Sequence, residues 1–280
     1  MQGNRAFQTC FRNSIRNIKD KDKAMAYCVD IYNFPGSIEY EYKWEGNYGA
    51  KGEKRAARER PSPWQIELQN QINKKNRIRR TIKANFVEND FWLTFTYRKG
   101  ERKDMQGVKE DLNNVLRKLA RRYRKFGAEL KWMRVIEIGA RGGIHIHMIM
   151  NRIRGADTDV LIKECWQHGR IFFSNLYEEG GFEQLAQYMA KVPDEEERKK
   201  KGLPRKLTKE EYSYSTSRNL IRPKPERKRY RRWTMRKLLL YGPKPTPGYY
   251  IVPESIRSGT NRYTGYSYMR YTEEKLDRRI

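Results

Sequence analysis

Glu137, His145 and His147 are the residues with the most evident chemistry, and all three fall between Arg134 and Asn151. Ile136, Ile138, Ile144, Ile146, Met148 and Met150 hold the even positions around them. Alternation at period two puts those six on one buried face of a β-hairpin and turns Glu137, His145 and His147 the other way. A three-residue loop of Arg141, Gly142 and Gly143, with glycine in the left-handed position, sets Glu137 opposite His147. Two imidazole nitrogens and one carboxylate make an open divalent-cation site with room for a phosphate oxygen, which suits Mg²⁺ or Mn²⁺ better than a closed structural zinc. A histidine on a strand is ordinarily plain surface, but the chain has three histidines and two of them form this pair.

A cation that polarises a phosphodiester needs a nucleophile, and a tyrosine phenolate serves where the product is a covalent phosphotyrosine. Tyr188 is the candidate. The spacing Y-x-x-K also occurs at Tyr40/Lys43, Tyr48/Lys51 and Tyr241/Lys244, so the motif is weak by itself. Only Tyr188 and Lys191 lie on a predicted helix, where i, i+3 spacing brings phenol and ammonium to one face. There Lys191 can stabilise the phenolate or the phosphate in the transition state; the plain alternative is a cation in the last helical turn.

The elements that must position these groups are readable around them. Phe91 to Tyr97 is a buried aromatic and β-branched strand. Met105 to Phe126 is a helix, because Val108, Leu112, Val115, Leu116, Leu119, Tyr123 and Phe126 recur at helical spacing, and Gly127 ends it. Strands Leu130–Ile138 and on through Met150, a helix around Asp157–Trp166 and a strand around Arg170–Ser174 follow. In the helix from Gly181 to Lys191, Phe182, Leu185, Ala186 and Met189 form a packing stripe. The order β-α-β-β-α-β predicts an α+β domain, a ferredoxin-like or split βαβ antiparallel sheet with helices on one face, followed by the tyrosine-bearing helix.

Three segments are expected: an N-terminal extension over 1–87, a catalytic domain over 88–220 and a basic arm rich in tyrosine and proline over 221–280. Within the extension, Ile38 to Trp44 is strand-like. Pro61-Ser62-Pro63 opens a basic helix running to about Arg80, with only a weak apolar stripe.

The formal net charge is +27, from 61 Lys and Arg against 34 Asp and Glu, so the expected partner is a polyanion. The 19 tyrosines and other aromatics among the basic residues favour single-stranded nucleic acid over an anionic membrane. Arg141, Lys199, Lys200 and Arg218 are the expected DNA contacts. No apolar run approaches a membrane span and the start has no signal-peptide core, so a cytoplasmic location is expected. Cys10, Cys28 and Cys165 stand apart, which predicts free thiols and no zinc ribbon. G-x-x-x-x-G-K-[ST] is absent, so nothing argues for an ATPase motor.

Gly-Ile-His-Ile-His-Met-Ile-Met at 143–150, the upstream Glu137, the strand at 91–97 and Tyr-Met-Ala-Lys at 188–191 resemble the motifs of HUH endonucleases. The resemblance is to the single-tyrosine replication-associated proteins of small phages, plasmids and conjugative elements, over about residues 88–192. It implies rolling-circle initiation in a bacterial host. Glu137, His145 and His147 hold Mg²⁺ or Mn²⁺, Tyr188 attacks single-stranded DNA at an origin hairpin, and Lys191 assists. The product is a 5′-phosphotyrosine and a free 3′-OH for a host polymerase, with a host helicase opening the duplex.

The two-tyrosine branch is excluded by Val192 on the same helical face. A histidine-triad enzyme needs a third histidine where Ile149 stands, and a cupin needs an acid where Asn151 and Arg152 stand. A relaxase or transposase of the same group, and a non-catalytic DNA-binding protein, remain as alternatives.

Overall fold

The computed structural model describes residues 26–46, 49, 53–101, 103–139, 143–177, 182–191, 214–230 and 235–276. Its elements begin with β1 (Tyr27–Asn33), β2 (Ser37–Trp44), α1 (Pro63–Asn85), β3 (Phe91–Thr96), α2 (Met105–Lys125), β4 (Trp132–Ile138) and β5 (Ile144–Met150). They continue with α3 (Thr158–Cys165), β6 (Ile171–Asn175), α4 (Glu183–Ala190), β7 (Ser215–Thr216), β8 (Glu226–Tyr230), α5 (Arg236–Tyr241), β9 (Tyr249–Ile251), β10 (Arg257–Asn261) and β11 (Tyr266–Lys275). Two compact units result, one from Met1–Gln65 with Lys224–Ile280 and one from Ile66–Pro223. The protein is thus α+β with antiparallel sheets. Among the described residues no helix is long and apolar enough to cross a membrane.

In the unit Ile66–Pro223 the sheet order is β6-β3-β5-β4-β7, every neighbouring pair antiparallel. α2 forms where the sequence predicts. Asp104 caps it, its side chain accepting from Gly107 N at 2.8 Å, and Val108, Leu112, Val115, Leu116, Leu119 and Tyr123 bury one stripe. Gly127 follows at φ 68°, a left-handed conformation that stops the helix without the steric cost a side chain would bring. α2 and α3 cover the face carrying Phe91, Leu93, Phe95, Ile146 and Met148.

The opposite face is covered as well. Met133, Val135 and Ile149 pack with Ile78, Ile82 and Phe86, the first two of them on α1, and with Phe182, Ala186 and Met189 at α4. Helices therefore flank both faces of the sheet, not one. α1 hides this in sequence because its buried residues cluster near its C-terminal end, while Ile66 and Leu68 near its start stay exposed. Ser62 and Gln65 exchange side-chain hydrogen bonds with each other's backbone N–H, a capping box that fixes the start of α1. Most of α1 thus belongs to this unit and not to an N-terminal extension.

The β4–β5 hairpin corrects the expected register. Gly139 N donates to Gly143 O at 2.8 Å, and the ladder continues as Ile138↔Ile144, Glu137↔His145 and Ile136↔Ile146. The intervening loop is still three residues long but displaced by one, which moves each pairing by two. Glu137 therefore lies opposite His145 and not His147. A shift of two keeps every side chain on its face, so the inward and outward sets survive the error.

The other unit overturns the expected C-terminal arm. Residues 226–275 supply β8 to β11, which join β1 and β2 in a six-stranded sheet of order β10-β11-β2-β1-β8, with β9 paired to β11. Its core is built from tyrosine: Tyr40 and Tyr271 stack at 4.8 Å, and Trp44 stacks on Tyr266 at 4.9 Å. Buried Asp30 is held between Lys43, at 2.6 Å, and Arg227, whose Nε is at 2.5 Å. These groups hold its carboxyl below the ordinary range against the opposing effect of burial.

Candidate active site

The sheet in Ile66–Pro223 lays out the site in rows. Glu137 on β4, His145 on β5 and Thr96 on β3 are successive cross-strand partners; Val135, His147 and Thr94 form the next row. Even residues of β3 and odd residues of β4 and β5 share this face, since directly paired residues point to one side. β5 buries Ile144, Ile146 and Met148 on the reverse side, so the packing of α2 fixes the direction of both imidazoles.

His147 is the better enclosed of the two. Its Nδ1 meets the hydroxyl of Thr94 at 3.0 Å, and Trp92 stacks on its ring at 5.6 Å between centroids. Nε2 is buried with no hydrogen-bond partner, 3.4 Å from Oε2 of Glu137. A buried nitrogen left unmatched while its ring partner is anchored is the arrangement of a metal-ligating histidine.

Tyr188 approaches from α4. Its hydroxyl donates to Oε2 of Glu137 at 2.7 Å, and its ring stands edge-on to His147 at 5.1 Å and to Trp92 at 5.9 Å. The residue is 36% exposed, enough for a substrate to reach the phenol. Burial first, then the hydrogen bond to Glu137 and its charge, push the phenol pKa well above its ordinary value. Phe182, buried in the adjoining core and held at φ 61°, fixes the start of α4.

His145 is exposed, with its ring 6.3 Å from that of His147. Among the described residues no group of three or more His, Cys, Asp or Glu is gathered closely enough to hold a cation. The fit of a divalent ion therefore rests on the unmatched Nε2 of His147 with Glu137 beside it, and on the second imidazole across the ladder from that carboxylate. These are borderline nitrogen and hard oxygen donors, suited to Mg²⁺ or Mn²⁺.

Lys191 sits one residue past the end of α4 with extended backbone, φ −57° and ψ 136°. Helical i, i+3 spacing consequently does not direct its side chain toward Tyr188. Arg218 is exposed in the turn after β7. Arg141, Lys199 and Lys200 lie outside the described residues. His168 is elsewhere, 3.6 Å from Asp111 and packed on Tyr97 and Trp166.

Sequence reading passes over Trp92 and Thr94 as site residues. The signal is present in β3, where Trp92, Thr94 and Thr96 alternate with the buried Phe91, Leu93 and Phe95. The parity that turns the histidines away from the core turns these three with them.

Residues 90–193 are similar to the replication-associated protein ORF2 family. The matched stretch runs from the start of β3 past the end of α4 and so includes Glu137, His145, His147 and Tyr188. No curated protein and no solved structure matches the chain.

Proposed function

We propose that the chain is a replication initiator that nicks single-stranded DNA at an origin by tyrosine attack. The observation that carries this reading is the convergence of Tyr188, Glu137 and the unmatched Nε2 of His147 within the stretch similar to replication-associated proteins. The strand arrangement supports it. Numbered within this unit, the first four strands lie in the order fourth, first, third, second, which fits the split βαβ topology of HUH endonucleases.

His147, His145 and Glu137 would hold Mg²⁺ or Mn²⁺, which when bound polarises a phosphodiester and draws off its developing negative charge. The chain's own groups perform the rest. Thr94 and Trp92 hold the His147 ring, and Glu137 holds the phenol oxygen of Tyr188 at 2.7 Å and is placed to receive its proton. The Tyr188 oxygen bonds to phosphorus as the P–O3′ bond breaks; the 3′ oxygen takes a proton and leaves as a hydroxyl. The product is a 5′-phosphotyrosine and a primer end for a host polymerase, with a host helicase opening the duplex in the bacterial cytoplasm. The contribution of Lys191 is electrostatic, a cation at the end of the tyrosine helix. Arg141, Lys199, Lys200 and Arg218 are assigned to phosphate contacts along the strand.

The test is a denaturing gel of the protein incubated with single-stranded DNA from its own replicon, in Mn²⁺ or in EDTA. The expected result is a metal-dependent shifted band that maps to Tyr188 by mass spectrometry and disappears in Tyr188→Phe. Tight, salt-sensitive binding with no band under any metal condition would leave a non-catalytic DNA-binding protein.

A further inference from the structure

We propose that Arg170 and Phe172, on the edge strand β6, form a docking surface for single-stranded nucleic acid, with Phe172 stacking on a base and Arg170 holding a phosphate. The proposal rests on the nicking reading above and extends the path of the strand from the site to the edge of the sheet.

The placement follows from register. Phe172 pairs with Thr94, and Thr94 pairs with His147. Arg170 O accepts from Thr96 N at 2.9 Å, and Thr96 pairs with His145, which faces Glu137. Two rows therefore run across one face, Phe172–Thr94–His147 and Arg170–Thr96–His145–Glu137. With strands about 4.8 Å apart, the two β6 side chains leave the sheet about 10 Å from the imidazoles.

Alternation in β6 fixes the face. Ile171 and Phe173 pack on the core beneath, Phe173 edge-on to Phe91 at 5.5 Å, whereas Phe172 is 58% exposed and Arg170 is exposed. A phenyl ring standing out from the middle of a strand, among hydroxyls and imidazoles, marks a surface that something covers. Charge selects the occupant. On a chain of net charge +27, an aromatic face beside a guanidinium matches the two repeating parts of a nucleic-acid strand, the base and its phosphate. Bases are open to such stacking only when unpaired, so the match is to a single strand.

The experiment measures binding of a fluorescein-labelled oligodeoxythymidine to the full chain in EDTA, by anisotropy across a salt series. Phe172→Ala is expected to weaken binding about tenfold with the salt slope unchanged, and Phe172→Trp to restore it. Arg170→Gln is expected to reduce the log–log salt slope by about 0.7, one phosphate contact on a single strand. Affinity within about twofold in Phe172→Ala, or an equal loss for duplex DNA, overturns the proposal. So does a change in mass by light scattering without a change in affinity, which would place a second copy of the chain on Phe172. If the unaltered chain binds the oligonucleotide but forms no adduct in Mn²⁺, the nicking reading fails and the docking surface is judged on the Phe172→Ala affinity alone.

Discussion

The phenol of Tyr188 donates a 2.7 Å hydrogen bond to Oε2 of Glu137, and the same oxygen lies 3.4 Å from Nε2 of His147. One carboxylate oxygen thus serves the nucleophile and the unmatched imidazole together. Replacing it separates charge from geometry. Glu137→Gln keeps an acceptor for the phenol but loses the anion, and it is expected to slow adduct formation by about 100-fold or more. Oligonucleotide affinity measured in EDTA should change by less than about twofold. A Glu137→Gln variant with full activity would reduce Glu137 to a hydrogen-bond partner.

Thr94 anchors His147 through Nδ1 at 3.0 Å, which leaves Nε2 to act as the donor. Thr94→Val keeps the shape and removes the hydroxyl. Mn²⁺ affinity, measured by electron paramagnetic resonance without DNA, is expected to fall about tenfold, within the range found for partners that orient metal ligands. Thr94→Ser should recover it. Equal Mn²⁺ affinity in Thr94→Val would show that Trp92 alone orients the ring.

Faces were legible in the sequence where alternation is aliphatic, and pairings less so. Ile136, Ile144, Ile146 and Met148 reveal the buried side of the hairpin, and with it the outward set Glu137, His145 and His147. The loop offers Gly139, Gly142 and Gly143 as possible turn residues, and only the Gly139–Gly143 hydrogen bond decides among them. β11 eluded the pattern for another reason. Its inward residues include Tyr271 and Glu273, which read as a polar arm, and its partner β2 lies near the other end of the chain. A tyrosine core has a weak hydropathy signal, because each ring carries a polar tip that must find a partner after folding.

The same tyrosines set an alkaline limit. Tyr27, Tyr123 and Tyr271 are buried, and burial raises the phenol pKa of each well above 10. Glu53 adds to the shift at Tyr27, Asp90 at Tyr123 and Tyr42 at Tyr271. Above pH 10 the unfolded chain loses phenolic protons that the folded chain keeps, so stability present below that pH declines as pH rises. Each such tyrosine contributes about 1.4 kcal/mol per pH unit to the decline. Urea midpoints should hold steady from about pH 8 to 9.5 and then fall steeply; a flat profile to pH 11 would contradict the burial of these rings.

Arg134 offers the converse test, a charge whose removal should help. It is buried on β4 between Trp132 and Ile136, on the side away from His147, and its Nε and Nη1 have no hydrogen-bond partner. Its guanidinium carbon lies 5.6 Å from the Trp132 ring centroid, and burial lowers its pKa. A cation–π contact is worth about 2 kcal/mol when desolvated, whereas an uncompensated buried cation costs several kcal/mol. Arg134→Met fills similar space without the charge and is expected to raise the unfolding free energy by about 1–3 kcal/mol, with the urea m-value unchanged. Oligonucleotide binding should be unaffected, because Arg134 and the two histidines project from opposite faces of one sheet. If Arg134→Met is instead less stable by more than about 1 kcal/mol, the guanidinium is engaged by a group that compensates it, and this reading of its energetics is wrong.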